Sequence, residues 1–322
     1  MDEQAEWRDA GVSSDQVILQ ETFVGKKTVY WCHFSSQKEN IEYISRLSTN
    51  YHRFKLESYS TTSDGEDLSQ NALLALQQNY FELLEYSLAL CFASIQSLHA
   101  TPLWMTHYKN YDLDDIVQII IKGQEIPSAS GTTLDELIEE MAEDREGANA
   151  DALKICTQNL IRDYSRIHYM ETYNAIKHGN RASPSQFNFE TDKASFKIKC
   201  GFIAYRKQAL HKNELESIGG KKAFYLEQHI TPINDVLIYA QNTIVIRWLD
   251  ILIDTLQVAA GIREKPSSLS FVTLEEVQRA WDYPKGFGSL VITPNLTING
   301  KQRIAQDYNN AATSGDFQDI EI

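Results

Sequence analysis

Apolar positions along this chain switch between alternation and steps of three or four, and the switches mark out the elements. Val17, Ile18, Leu19 and Phe23 lead into Gly25-Lys26-Lys27, and Thr28-Val29-Tyr30-Trp31 returns. Residues 17–34 therefore predict a β-hairpin on β-branched and aromatic residues about a short Gly turn. A short helix over Lys38–Ser48 and a strand over Arg53–Tyr59 complete a small N-terminal α+β unit, and the polar stretch Ser60–Glu66 reads as a linker. From Asp67 the period becomes helical: Leu73, Leu76, Tyr80, Leu83, Leu84, Leu88, Cys91, Phe92 and Ile95 recur at steps of three and four. With no Gly or Pro before Thr101, this predicts a long helix ended by Pro102.

A shorter helix, Leu113–Lys122, stops at Gly123. A loop over Pro127–Gly131 follows, and Thr133-Leu-Asp-Glu136 forms a capping box for an acidic helix to about Arg145. The second long helix runs from Ala150 to about Lys177, with Gly179 and Pro184 beyond it. Phe187–Glu190 and Ser195–Tyr205 read as a second hairpin about Asp192-Lys193. The third long helix covers Ala223–Ala260 and stops at Gly261, with Pro232 as a kink or as its true start. Thr273-Leu-Glu-Glu276 caps a short helix to about Trp281. Gly286–Ile298 carries short strands, and Ala311–Ile322 is a polar, acidic, frayed tail.

The fold class predicted is mainly α: a helical bundle of three long helices plus short helices, with small β-hairpin elements and the α+β N-terminal unit. The expected division is 1–62 for that unit, 63–265 for the bundle with its inserted β-hairpin (about 186–206), and 266–322 for the extension and tail.

Composition narrows the class. The 322 residues carry 30 Lys and Arg against 44 Asp and Glu, a formal net charge of −14. Such a charge argues against general DNA binding, which needs a basic face toward phosphates. The N-terminus lacks the basic and apolar regions of a secretory signal. The most apolar stretch, Val236–Leu256, is broken by Gln241, Asn242, Arg247, Asp250 and Asp254, so it reads as a buried helix. No membrane association and a cytoplasmic location are expected. The cysteines Cys32, Cys91, Cys156 and Cys200 form no CxxC, so no metal is expected, and no cofactor motif occurs. Trp104, Trp248 and Trp281 read as core anchors. Asp112, Asp114 and Asp115 read as charge complements to a helix start, and Glu139–Glu146 as a solvated face.

The charge is unevenly spread. Residues 153–212 hold eleven cations and four acids, a net +7, which leaves −21 on the remainder. This is the region to contact RNA or a nucleotide, because screening limits distant repulsion. The second long helix concentrates the candidate chemistry. Arg162-Asp163 is followed by His168, and Tyr173-Asn174-x-x-Lys177-His178-Gly179 closes the helix. Arg46 with His52, and Arg206 with His211, are similarly spaced, but only Arg162 is followed by an acid on a long helix.

These residues resemble the HEPN superfamily of helical nucleotide-associated domains over roughly 67–261. The resemblance implies a helical bundle, pairing as a homodimer or with a protein partner, and a bacterial stress or defence setting. It also implies metal-independent ribonuclease chemistry, in which an Arg followed by a polar residue works with a downstream His. Arg162, Asp163 and His168 are then the catalytic candidates. His168 would move a proton to or from the 2′-hydroxyl, Arg162 would stabilise the phosphorane, and Asp163 would orient it. Arg166, Tyr173, Asn174, Lys177, His178 and Arg181 are the nucleic-acid or ligand-binding candidates. Six positions turn a straight helix by about 240°, so Arg162 and His168 converge only through a bend or across two chains. The residues equally allow a non-catalytic interaction or dimerisation protein of the same fold, with Lys177-His178-Gly179 as a helix cap.

Overall fold

The structure is a computed structural model. It describes residues 19–60, 69–143, 145, 149–165, 173, 176–177, 182–190, 195–209, 224–269, 271–282, 290–292, 296–298 and 301–303. Among these, helix predominates, as the three- and four-residue steps require.

The first hairpin pairs β1 (Leu19–Val24) with β2 (Lys27–Cys32) in antiparallel register, Val24 opposite Lys27. Gly25 takes φ +63° in the two-residue turn, a conformation that favours glycine. Helix α1 (His33–Arg46) follows. Residues 50–60 form a helix, α2 (Asn50–Ser60), not the strand expected over Arg53–Tyr59. The buried pair is His52 and Leu56, one helical turn apart.

Helix α3 (Gln70–Ser97) has 28 residues, and a 3₁₀ turn at Leu98–Ala100 leads into α4 (Thr101–His107). Pro102 sits in the first turn of α4, where its missing N–H leaves no bond unmade, so it opens a helix instead of ending one. Next come α5 (Asn110–Ile121), α6 (Leu134–Ala142) and α7 (Ala150–Ser165). The Thr133 capping box forms as expected: Glu136 N–H donates to Thr133 Oγ1 at 3.2 Å, and Thr133 N–H donates to Glu136 at 2.8 Å.

The second hairpin forms and extends into an antiparallel sheet of order β3-β4-β5-β6, made of β3 (Ala182–Glu190), β4 (Ser195–Ala209), β5 (Phe224–Pro232) and β6 (Leu290–Ile292). Strand β5 occupies the start of the expected helix Ala223–Ala260. The helix proper, α8 (Asp235–Ala259), begins after Asn234, whose Oδ1 accepts from Leu237 N–H at 3.0 Å. Pro232 ends the strand and marks the helix start. Helix α9 (Leu274–Ala280) and the pair β7 (Leu296–Ile298) with β8 (Lys301–Arg303) close the described chain. The polar linker and the acidic tail lie outside the described residues.

Two compact units result. The first comprises Met1–Thr49, Leu84–Ser165 and Val245–Leu274, and the second Asn50–Leu83, Arg166–Ile244 and Glu275–Ile322. Helices α3 and α8 each have part of their length in both units.

In the first unit, Leu84, Leu88, Phe92, Ile95, Trp104, Leu113, Trp248 and Leu252 are fully buried. Gln96, itself buried, accepts from Gly25 N–H and Trp104 Nε1–H, both at 2.9 Å. It donates to the carbonyls of Gly25 (2.8 Å) and Pro127 (3.0 Å), which fixes the hairpin turn. Arg145 does not belong to the acidic solvated face formed by Glu139, Glu140 and Glu143. It is buried and donates to Asp254 at 2.7 Å, and Asp254 also accepts from Ser267 N–H at 2.8 Å.

In the second unit, His52 Nδ1 lies 2.8 Å from Asn79 Oδ1, and Asn79 Nδ2 donates to Asn242 Oδ1 at 2.8 Å. Asn242 donates in turn to the carbonyls of Leu76 and Ile238. Trp281 is buried there as an anchor.

Helix α8 is the one described helix long and apolar enough to cross a membrane, and 61% of its apolar window is buried inside the protein.

Candidate functional site

Helix α7 presents the Arg162–Asp163 pair at its C-terminal end, in the first unit. Its inner face is set by Leu153, Cys156, Leu160 and Tyr164, all buried at helical spacing. Thr157 belongs to this face as well, and its Oγ1 accepts from Trp248 Nε1–H at 3.1 Å. Asp163 is carried inward, 5% exposed, whereas the Arg162 side chain is half exposed. Arg162 Nε stands 3.8 Å from Asp163 Oδ1, too far for a hydrogen bond but close enough for the carboxylate to bias the guanidinium. Burial raises the pKa of the Cys156 thiol, and the negative charge of Asp163 raises it further. Burial likewise pushes the Cys91 thiol up to about 12, so both are inert core thiols.

Tyr173 and Lys177 belong to the second unit. Tyr173 is buried and edge-on to Phe81 at 6.0 Å between centroids, and Lys177, exposed, sets its ammonium 5.3 Å over the Tyr173 ring. This is a cation–π contact one helical turn long. The remaining candidates, His168, Arg166, Asn174, His178 and Arg181, lie outside the described residues.

Sequence spacing gave no sign of a group of phenols and carboxylates in the first unit. Tyr43 (α1), Glu85 and Tyr86 (α3), Tyr108 (after α4), Asp114 (α5) and Tyr164 (α7) influence one another's ionisation. Tyr108 Oη donates to Glu85 at 3.4 Å, and its ring stacks on Trp104 at 5.0 Å. Tyr164 Oη lies 3.4 Å from the Asn110 carbonyl and hydrogen-bonds Asp114. Burial first, then neighbouring negative charge, raises the phenol pKa values of Tyr108 and Tyr164. These groups stay protonated at neutral pH and act as donors and stacking surfaces, not as bases. Partial desolvation raises the Asp114 carboxyl, an effect opposed by the Tyr164 bond and assisted by Asp115. Six residues from five stretches of chain meet here, which no single-segment motif can signal.

Asp112 caps the start of α5 by accepting from Lys109 N–H at 2.8 Å, and it also pairs with Lys27 at 2.8 Å, while Asp115 pairs with Lys26 at 2.7 Å. Two of the three acids before Ile116 thus serve the helix start and the hairpin. Among the described residues, no three His, Cys, Asp or Glu side chains gather as a metal site.

No family model, curated protein or solved structure matches the chain.

Proposed function

We propose that this chain is a HEPN-like helical protein that binds or cleaves RNA, with its long helices arranged as a bundle. The observation that supports the reading most is the Arg162–Asp163 pair: a solvent-open guanidinium with a buried carboxylate behind it, on a long helix. Such a guanidinium can engage a phosphate while the carboxylate limits its rotamers. In this reading His168 exchanges the proton of the 2′-hydroxyl, Arg162 stabilises the phosphorane, and no metal takes part. Arg166, Tyr173, Asn174, Lys177, His178 and Arg181 hold the strand. Two copies of the chain supply the convergence that one straight helix denies. The setting is cytoplasmic, in bacterial stress or defence.

The test is cleavage of an unstructured RNA in excess chelator. The parent is expected to cut it. His168→Ala and Arg162→Ala should each slow the reaction by about 10²-fold or more, the usual loss of a general acid–base or of a phosphate-stabilising group. Failure of the parent to cut, or undiminished cutting by both variants, removes the catalytic part.

The second reading, a non-catalytic interaction or dimerisation protein, is favoured by Val236 at 71% and Leu226 at 59% exposure. Exposed apolar side chains mark a protein contact where they gather in one patch. A parent that dimerises, and does so less when both are changed to Ser, while leaving RNA intact, supports it.

A further inference from the structure

Strand β4 holds four of the cations of residues 153–212, Lys197, Lys199, Arg206 and Lys207, and no acid. The other three strands of its sheet add only Glu190 in β3 and Glu227 in β5. The sheet is therefore net +2 in a chain of net −14.

Register divides these charges between two faces, because opposed residues share a face and neighbours along a strand alternate. Glu227 stands opposite Arg206, and His229 opposite Ala204 and Val291. That face turns inward: Phe202, Ala204, Glu227 and His229 are buried. The other face sets Tyr205 opposite Gln228, Lys207 opposite Leu226 and Ala209 opposite Phe224. Its outer end is open to solvent, with Tyr205 at 41% and Phe224 at 50% exposure and Leu226 exposed between them. Ser185, opposite Gly201, belongs to this open face, so Glu190, five positions on, falls on the other. Both acids of the sheet are thus kept off the open face, and Lys207 is placed on it. At about 3.3 Å per residue, Tyr205 and Phe224 stand about 13 Å apart along the strands, with Lys207 midway.

We propose that this open sheet face binds unpaired RNA, with Tyr205 and Phe224 stacking on bases and Lys207 serving the backbone between them. A polyanion needs a surface that carries cations and excludes acids, and unpaired bases need rings open to solvent. A duplex, whose bases are already stacked, gains nothing from the rings. The inference rests on the RNA reading above, locates its strand-binding surface on the sheet and specifies its substrate as unpaired strand.

The probe is a fluorescein-labelled 2′-O-methyl oligouridine of about 12 nucleotides, which cannot be cut through its 2′-oxygen, compared with an RNA duplex of equal length. Anisotropy is read across a salt series for the parent, Tyr205→Ala, Phe224→Ala, Tyr205→Phe, Phe224→Tyr, Lys207→Gln, Lys207→Arg and Arg162→Ala. Each Ala variant is expected to raise the single-strand Kd about tenfold, as the loss of one stacked base does. Tyr205→Phe and Phe224→Tyr should keep it, and the duplex should bind more weakly. Lys207→Gln should lower the slope of log Kd against log salt by about 0.7, the share of one phosphate contact on a single strand, and Lys207→Arg should restore it. A merely structural lysine would not move that slope. Both rings are exposed, so circular dichroism should be unchanged.

Parent-like binding by either Ala variant, an unchanged salt slope in Lys207→Gln, or preference for the duplex overturns the proposal. If Arg162→Ala then weakens binding, the RNA reading survives without the sheet face. No binding by the parent overturns both. Ring-dependent binding indifferent to Arg162 keeps the sheet face and removes Arg162 from the site. Loss of self-association in the Ala variants with RNA binding unchanged assigns the face to a second copy of the chain and overturns the proposal.

Discussion

At the scale of single residues, the strongest constraints are buried polar side chains with several partners. Gln96 makes four hydrogen bonds from a fully buried position. Gln96→Ala removes them all, and at about 1 kcal/mol for each bond the expected loss is roughly 3–5 kcal/mol. Urea unfolding with an unchanged m-value checks it. Gly25→Ala acts on the same turn by another route. Its φ is positive, and a Cβ would stand 3.0 Å from Asp112 Cβ. A loss of about 1–3 kcal/mol is expected, and the effect should overlap with that of Gln96→Ala in a double-mutant cycle. Arg145→Ala leaves the buried Asp254 with Arg263 at 3.2 Å and Ser267 as its partners, so the expected cost is that of one hydrogen bond to a charged group, about 1.5–3 kcal/mol.

At the scale of elements, sequence reading succeeded where one local signal dominated. The first hairpin turns on Gly25, α6 starts on its Thr133 capping box, and α8 ends before Gly261. Thr133→Ala is accordingly expected to cost about 1 kcal/mol, measurable by thermal melting. Reading failed where two signals competed. In 50–60 the turn-spaced buried pair His52–Leu56 went unread and a strand was expected, because a buried histidine does not register as apolar. In 224–232 a strand runs into an apolar helix with only Ile233-Asn234 between them, and Pro232 with the cap Asn234 marks the switch. The candidate site divides in the same way. Arg162 and Asp163 are legible as neighbours on one helix. The phenols of Tyr43, Tyr108 and Tyr164 meet only through tertiary packing, and Tyr205 and Phe224 share a face only once β5 is known to be a strand.

At the scale of the whole molecule, ionisation sets the response to acid. Burial lowers the pKa of His52 below its ordinary 6.5, although its bond to Asn79 opposes the shift. The unfolded chain therefore takes up a proton that the native state resists, and stability falls as pH drops below about 6.5. Asp254 is depressed below 3.8. Desolvation would raise it, but the Ser267 and Arg145 bonds prevail, so its contribution is present above about pH 4 and is lost as pH falls through the native value. Two acid-sensitive windows are expected, one in each unit. Urea midpoints measured from pH 7.5 to 3 should decline in both, and His52→Gln should flatten only the upper one. A uniform decline in both proteins would refute the assignment.

The bond from Gln96 to the first hairpin turn spans 71 residues of chain. It therefore bears on the order in which structure forms. A turn whose amide and carbonyl are satisfied by a helix so distant cannot act as an independent folding nucleus. The hairpin must wait for closure of a long loop, whose entropy is lost before the contact is gained. A peptide of residues 19–32 alone should show no hairpin by NMR. In the full chain, amides of that hairpin should acquire protection together with those around Gln96, and not before them.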